Sequence, residues 1–449
     1  MINRIAFFQD LLTSVFNRDA ANAVDSDSRS FEELCDALLS ERGEVSGNRI
    51  ATLILARFSQ SDKEQRLDFF KMLVKRFDID TKQVQSAANS LVHNDSTENL
   101  AQLISCVEPK RQELFRRLNR VPGATGRLVN MRACLLAYLK ENPELDRIDI
   151  DFKLQFRDWF NRGFLVMREI DWQTPANILE KLIAYEAVHA INSWDSLRRR
   201  LAPADRKCFA FFHPAMLDEP LIFVEVALTE AAPNSIKEIL TENRETLHAE
   251  SADTAVFYSI SNCQAGLAGV SFGNFLIKQV AQELSMQFGN LKHFRTLSPV
   301  PGLMRWVNKT QSDNADYELR GKLDVVARIS DKNIDAPNDE ELRLLSEVAA
   351  HYLVNEKRSD NQPLDPVARF HLGNGAALDR VLPRGDVYKK GLGQSAGVMV
   401  SYLYDLDRVI ENHEGYATTR KVVYSDDLKE LLGEKRKFSR RAGFANAGK

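Results

Sequence analysis

Three stretches of the chain hold residues whose types and spacing could do chemistry. In Thr296-Leu297-Ser298-Pro299-Val300-Pro301-Gly302, one hydroxyl sits among two prolines and a glycine, a stiff connection that would hold Ser298 at low entropic cost. A hydrolase nucleophile sits in G-x-S-x-G and draws on the next residue's N–H for its oxyanion hole. Pro299 has no N–H, so Ser298 reads as a hydrogen-bond donor or as a turn serine. Arg369-Phe370-His371-Leu372-Gly373-Asn374-Gly375-Ala376 reads as a strand entering an Asn-Gly turn, with His371 facing away from Phe370 and Leu372. Its imidazole could give and take a proton near neutral pH, and a single strand histidine can equally be structural. The third stretch, Gly266-Leu267-Ala268-Gly269-Val270-Ser271-Phe272-Gly273-Asn274, places three glycines between an expected strand and an expected helix. Its amides, with the unpaired N–H groups and partial positive charge of a helix start, suit a pyrophosphate. It matches neither the Walker loop nor G-x-G-x-x-G, so a turn that packs a helix on a sheet stays open beside the phosphate cradle.

The elements that must position these residues differ between the two halves of the chain. Up to about residue 150, helix follows helix. Ser30-Phe31-Glu32-Glu33 is a capping box with Leu34, Leu38 and Leu39 behind it, and Ser61-Asp62-Lys63-Glu64 repeats the device ahead of Leu67, Phe70, Val74 and Phe77. Another helix is expected from Pro109 to Pro122-Gly123, with Leu114, Phe115 and Leu118 inward. After about residue 160 the texture becomes β-branched and aromatic. Residues 208–212, 221–228 and 255–261 read as strands, the first two paired, and 367–372 and 398–404 as later strands. A helix with Phe272, Phe275, Leu276, Val280 and Leu284 on its apolar face follows the glycine loop. Polar residues 309–343 read as an insertion or mobile surface segment, and the basic run 435–441 as a solvated end.

Composition removes several functional classes. In 449 residues, 60 Lys+Arg stand against 63 Asp+Glu for a net charge of -3, which gives no global pull toward nucleic acid or anionic membrane. The most apolar run, Leu221 to Leu228, already contains Glu225 and falls far short of the roughly 20 apolar residues that span a bilayer. Five scattered cysteines lack C-x-x-C spacing and eight histidines lack H-x-x-x-H, so no disulfide framework, redox pair or metal site is expected. At the N-terminus, Ile2, Ile5, Phe8, Leu11, Leu12, Val15 and Phe16 make a helical stripe. Gln9-Asp10 interrupts any secretory signal, and Asp10 and Asp19 count against a mitochondrial presequence. A docking helix in a cytoplasmic protein is expected.

Read together, the pieces become specific. Phe-Tyr-Ser-Ile-Ser followed by Gly-Leu-x-Gly-Val, then Phe-Leu-Ile-Lys (275–278), Leu-Ser-Pro-Val-Pro-Gly (297–302), Leu-Asp-Pro-Val-Ala-Arg-Phe-His-Leu-x-Asn-Gly-Ala (364–376) and Ser-Tyr-Leu-Tyr (401–404) occur in the order and spacing of malonyl-CoA decarboxylases. So do Tyr185-Glu186-Ala187-Val188-His189 with Trp194 and, upstream, Val121-Pro122-Gly123-Ala124-Thr125. The chain resembles that family over residues 118–405, and its glycine loop resembles the coenzyme A pyrophosphate loop of GNAT-type acyltransferases. The resemblance implies an α+β protein, with a helical oligomerisation domain over 1–160 and a GNAT-like catalytic domain over 161–449. It implies decarboxylation of malonyl-CoA to acetyl-CoA and carbon dioxide in fatty acid metabolism without a separate cofactor, coenzyme A being part of the substrate. Ser298, His371 and Tyr404 match the family's catalytic positions. Coenzyme A contacts fall on Ala268, Gly269, Val270, Ser271, Phe272, Gly273 and Asn274, and on Asn374. One departure is Ser271, where relatives carry Glu. Self-association as a dimer or tetramer is implied, with neither nucleic acid nor membrane as partner. Three other readings stay open: an acyltransferase of the same fold, a Ser/His thioesterase, and a non-catalytic coenzyme A sensor.

Overall fold

The computed structural model describes residues 27–434 apart from 41–43, 243, 271–275, 313–316 and 331–336. The apolar stripe 2–16, the basic run 435–441 and the expected site residues Ser271, Phe272, Gly273 and Asn274 lie outside the described residues. The chain divides into two compact units, one made of Met1–Arg168, Ala210–Ile222 and Asn262–Gly273, the other of Glu169–Phe209, Phe223–Ser261 and Asn274–Lys449.

The first unit is built on helices α1 (Phe31–Leu39), α2 (Glu44–Gln60), α3 (Lys63–Phe77), α4 (Thr81–His93), α5 (Thr97–Val107), α6 (Lys110–Leu118), α7 (Ala124–Tyr138) and α8 (Asp146–Trp159). The Ser30 hydroxyl accepts from the Glu33 amide while the Glu33 carboxylate accepts from the Ser30 amide, so α1 starts with the expected box. The second box is displaced by one residue. Asp62 caps α3 and Gln65 reciprocates, because a carboxylate is as good an acceptor for the third amide as the Ser61 hydroxyl. Phe58 meets Phe69 and Phe70 edge-on at 5.3 and 5.5 Å, and Phe115 stacks on Phe152 at 4.3 Å. Each such buried ring contributes about 1.5–3 kcal/mol by leaving water.

The strands are β1 (Val166–Glu169), β2 (Arg206–His213), β3 (Met216–Thr229), β4 (Thr254–Asn262), β5 (His293–Thr296), β6 (Ser298–Pro299), β7 (Ala377–Leu382) and β8 (Met399–Leu403). They run in the order β1-β2-β3-β4-β5-β8-β6, with β7 also on β8. β3 is buried from Pro220 to Leu228, which is why that stretch is apolar apart from Glu225. β4 and β5 pair in parallel from Thr254↔His293 to Phe257↔Thr296. There β5 ends and the chain passes to β6, whose Ser298 and Pro299 pair antiparallel with Val400 and Met399. The second unit's helices are α9 (Ala176–Tyr185), α10 (Trp194–Leu201), α11 (Ile236–Leu240), α12 (Leu276–Gln287), α13 (Leu303–Ser312), α14 (Tyr317–Ser330), α15 (Asp339–Val354), α16 (Pro366–Gly373), α17 (Lys389–Ser395), α18 (Val409–Thr419) and α19 (Asp426–Leu431). The chain is an α+β protein with a helical N-terminal part, as expected.

Two expectations fail here. Residues 309–343 are not a mobile surface segment alone: most of their described residues belong to α13, α14 and α15, and Leu323 and Val326 are fully buried. Charged residues on the outer face hid the inner stripe. The second failure, at 367–372, concerns the site.

Candidate active site

The structure places His371 in the last turn of a helix rather than on a strand. Asp365 caps α16, its Oδ1 accepting from the Val367 and Ala368 amides at 2.9 Å each, and Pro366 occupies the first helical position, where a missing N–H costs nothing. Asn374 and Gly375 are the helix stop instead of a hairpin turn. Gly375 has φ +85°, and a Cβ there would fall 2.0 Å from the Val409 carbonyl oxygen. The Asn374 amide side chain donates to the Phe370 carbonyl at 2.7 Å, tying that residue to its own helix end.

Helical placement brings the three expected catalytic residues together. The Ser298 hydroxyl lies 3.0 Å from His371 Nε2, and the Tyr404 hydroxyl 2.8 Å from His371 Nδ1. Ser298, His371 and Tyr404 are 5%, 2% and 1% exposed, so water does not compete for these bonds. Thr296 was not anticipated. Its Oγ1 accepts from the Ser298 hydroxyl at 2.9 Å and from the Tyr402 amide at 3.1 Å. Thr296 ends β5 and Ser298 begins β6, and in extended chain residues two apart share a face, a signal available in the sequence. Tyr402 adds a ring stacked on the imidazole at 4.4 Å.

Donor counting sets the protonation pattern. A serine has one proton, and here it goes to Thr296. His371 Nε2 therefore carries the ring proton and donates to Ser298 Oγ, and Nδ1 accepts from the Tyr404 hydroxyl. Burial pushes the His371 pKa down to about 3, so the ring is neutral at physiological pH. It also lifts the Tyr404 phenol well above its ordinary range. The whole chain is uncharged. Ser298 points its proton away from the imidazole, the reverse of what a serine nucleophile with a histidine base needs.

The face of β4 that carries Phe257 belongs to the same neighbourhood, since the Phe257 ring meets that of Tyr404 at 6.3 Å. Ser259 and Ser261 follow on this face, and both donate to the buried Glu186 carboxylate, at 2.8 and 3.3 Å. Glu186 Oε1 also accepts from the Val188 and His189 amides at 2.7 Å each. The Tyr-Glu-Ala-Val-His motif thus closes a turn on β4.

The glycine loop is described as far as Val270, within the first unit. Gly266 has a packing role: a Cβ there would fall 1.9 Å from the Val129 carbonyl oxygen on α7. Its own carbonyl accepts from Arg132 at 2.6 Å, and buried Arg132 is paired with Asp149 at 2.8 Å. Gly269 has φ +74°, a left-handed backbone that leaves the loop free to turn amides outward. Among the described residues no group of three His, Cys, Asp or Glu could hold a metal ion, and no helix is long and apolar enough to cross a membrane.

The chain is an α+β fold in which a buried serine, histidine and tyrosine join in one hydrogen-bonded line. Residues 163–442 match the malonyl-CoA decarboxylase C-terminal domain and residues 77–160 the N-terminal domain. A malonyl-CoA decarboxylase of Rhodopseudomonas palustris has a similar structure, with TM-score 0.85 and 45% identity, covering 89% of this chain and 98% of that one. The Agrobacterium vitis enzyme of that name gives 0.82 and 47%, covering 90% and 100%. A mitochondrial malonyl-CoA decarboxylase of Anser anser anser is 34% identical over 73% of this chain and 70% of its own length. The chain belongs to the malonyl-CoA decarboxylase family.

Proposed function

We propose that this chain decarboxylates malonyl-CoA to acetyl-CoA and carbon dioxide, and that the Ser298–His371–Tyr404 chain delivers the proton. The supporting observation is that buried, neutral chain, with contacts of 3.0 and 2.8 Å, in a member of this family. Loss of carbon dioxide leaves the C–C electron pair on the α-carbon, delocalised into the thioester oxygen as an enolate. One proton must then reach carbon, so malonyl-CoA plus a proton gives acetyl-CoA plus carbon dioxide. A thioester enolate is a stronger base than an alkoxide, so a neutral donor suffices. Ser298 turns its hydroxyl from Thr296 to the α-carbon and gives up its proton, His371 Nε2 reprotonates the alkoxide, Tyr404 reprotonates Nδ1, and water entering as acetyl-CoA leaves returns a proton to Tyr404. Such a relay is worth about 10²–10⁴-fold in rate. The thioester is the electron sink, so the reaction as proposed uses no separate cofactor.

The loop Ala268–Asn274 and Asn374 are kept as proposed coenzyme A contacts, supported for the loop by the left-handed Gly269 backbone and for Asn374 by the resemblance alone. A cytoplasmic location and a dimer or tetramer formed through the helical part belong to the same proposal. The test is incubation of purified chain with malonyl-CoA and no acceptor. Acetyl-CoA and carbon dioxide in equal amounts are expected. Free coenzyme A would indicate a thioesterase, and binding without turnover a sensor; either result rejects this reading.

A further inference from the structure

The second unit holds a cleft that the reaction above does not use. It opens where α10 ends, β2 begins and the chain leaves α11, has a cavity volume of about 120 Å³, and is lined by Arg199, Arg200, Arg206 and Arg244 against one carboxylate, Glu242. Arg199 pairs with Glu242 at 2.8 Å, and Arg200 with the fully buried Glu225 at 2.9 Å. The other two arginines turn to one carboxylate, Asp205. Arg244 engages both of its oxygens, at 2.5 and 2.8 Å. Arg206 is left 3.5 Å from Oδ2, its donors directed to the Asp205 and Ile239 carbonyls. Four guanidinium groups thus share three carboxylates around one hollow, and Arg206 is only 6% exposed. Its desolvation, together with the charge of Arg244, pulls its pKa down, which is the state of a cation short of an anion.

We propose that this cleft binds a phosphate-type anion, either inorganic phosphate or a phosphate monoester. A cavity of this size lies below the roughly 300 Å³ of pockets for larger organic ligands. Planar guanidinium groups bind tetrahedral oxyanions through paired N–H donors, and Thr241 and Thr246 line the same hollow. The cleft is separate from the Ser298 chain. It lies by the first residue of β2, where the Asp205 carbonyl accepts from Leu228 and that of Thr229 accepts from Asp253. That is the end at which β4 begins, whereas Thr296 is the last paired residue of β5 and Ser298 comes after it.

The test is calorimetric titration of the full chain with inorganic phosphate at constant ionic strength, with chloride as the blank and a phosphate monoester as a second arm. Saturable one-to-one binding in the millimolar range or tighter is expected. Arg244→Gln should weaken it about tenfold, and the more exposed Arg199→Gln about threefold, since each removes a charge-assisted donor. Arg199→Gln should leave the KM for malonyl-CoA unchanged; if Arg244→Gln fails to fold, this variant decides alone. Tighter binding of the monoester assigns the site to an organic phosphate, and equal or weaker binding assigns it to the free ion. Absence of saturable binding, or affinity unaltered in the variants, overturns the proposal. So does a KM that rises as phosphate affinity falls, because the cleft would then hold the substrate's own phosphates.

Discussion

The second unit buries two polar clusters that solve the problem of desolvation in opposite ways. Around Ser298, every group is neutral: hydroxyl, imidazole and phenol pass hydrogen bonds along a line. Around Arg200, a guanidinium and a carboxyl are buried together: Glu225 is completely enclosed, burial pushes its pKa up to about 8, and the Arg200 charge beside it opposes that rise. A buried ion pair is held in place by the cost of separating it, so the second cluster fixes a geometry. Arg200 spans it by donating both to Glu225 and to the His189 carbonyl. A neutral chain has little to lose when a proton moves one bond along. Chemistry that relocates a proton belongs in the first environment, and anchoring belongs in the second.

The contrast can be broken at either cluster. The largest effect on stability is expected from Glu225→Leu, which leaves Arg200 buried without its carboxylate and should cost about 3–5 kcal/mol in denaturant unfolding. A loss below about 1 kcal/mol would mean that the pair is not the anchor described.

Acid should sharpen the difference. His371 titrates at about 3 in the folded chain against an ordinary 6.5. As pH falls through 6.5 the unfolded chain takes up that proton and the folded chain does not, so folding stability drops. Between about pH 7 and pH 5 this one group accounts for about 2 kcal/mol. Buried His189, also lowered to about 3, adds in the same direction, and the raised Asp365 and Glu225 act oppositely. Comparison with His371→Asn isolates the histidine: its stability should fall less over that interval, and identical pH slopes would refute a neutral, buried His371. For the same reason kcat should show no limb near pH 6.5 that vanishes with the histidine.

The smallest effect belongs to Tyr404→Phe. It deletes one hydrogen bond to Nδ1 and should lower stability by about 1 kcal/mol. Its kcat should fall about tenfold with KM little changed. An equal rise in KM would make Tyr404 a binding residue instead of a member of the relay.

How far the sequence could be read followed from how local each signal was. Helices such as α1 and α6 were legible because a cap, an apolar stripe and a stop lie within one stretch of chain. Ser298, His371 and Tyr404 were legible as residue types and by family resemblance, but their meeting was not, since it depends on β6 and β8 pairing far from α16 in sequence. His371 itself reads as a strand residue because Val367, Phe370 and Leu372 are good strand formers and Asn374-Gly375 is a strong hairpin signal. Asp365-Pro366, an N-cap followed by a proline at the first helical position, carried the opposite message and prevailed. The Asp62 cap was missed by one residue because serine and aspartate compete as acceptors. Arg206, Arg244 and Asp205 stand at scattered positions, and no spacing rule joins them.

The central claim is that His371 supplies the proton through Ser298, and the most direct measurement is malonyl-CoA turnover by His371→Asn beside the parent chain, with coenzyme A affinity measured on both. The account predicts a fall of at least about 100-fold in kcat with coenzyme A affinity nearly unaltered. Turnover at the parent rate would contradict it.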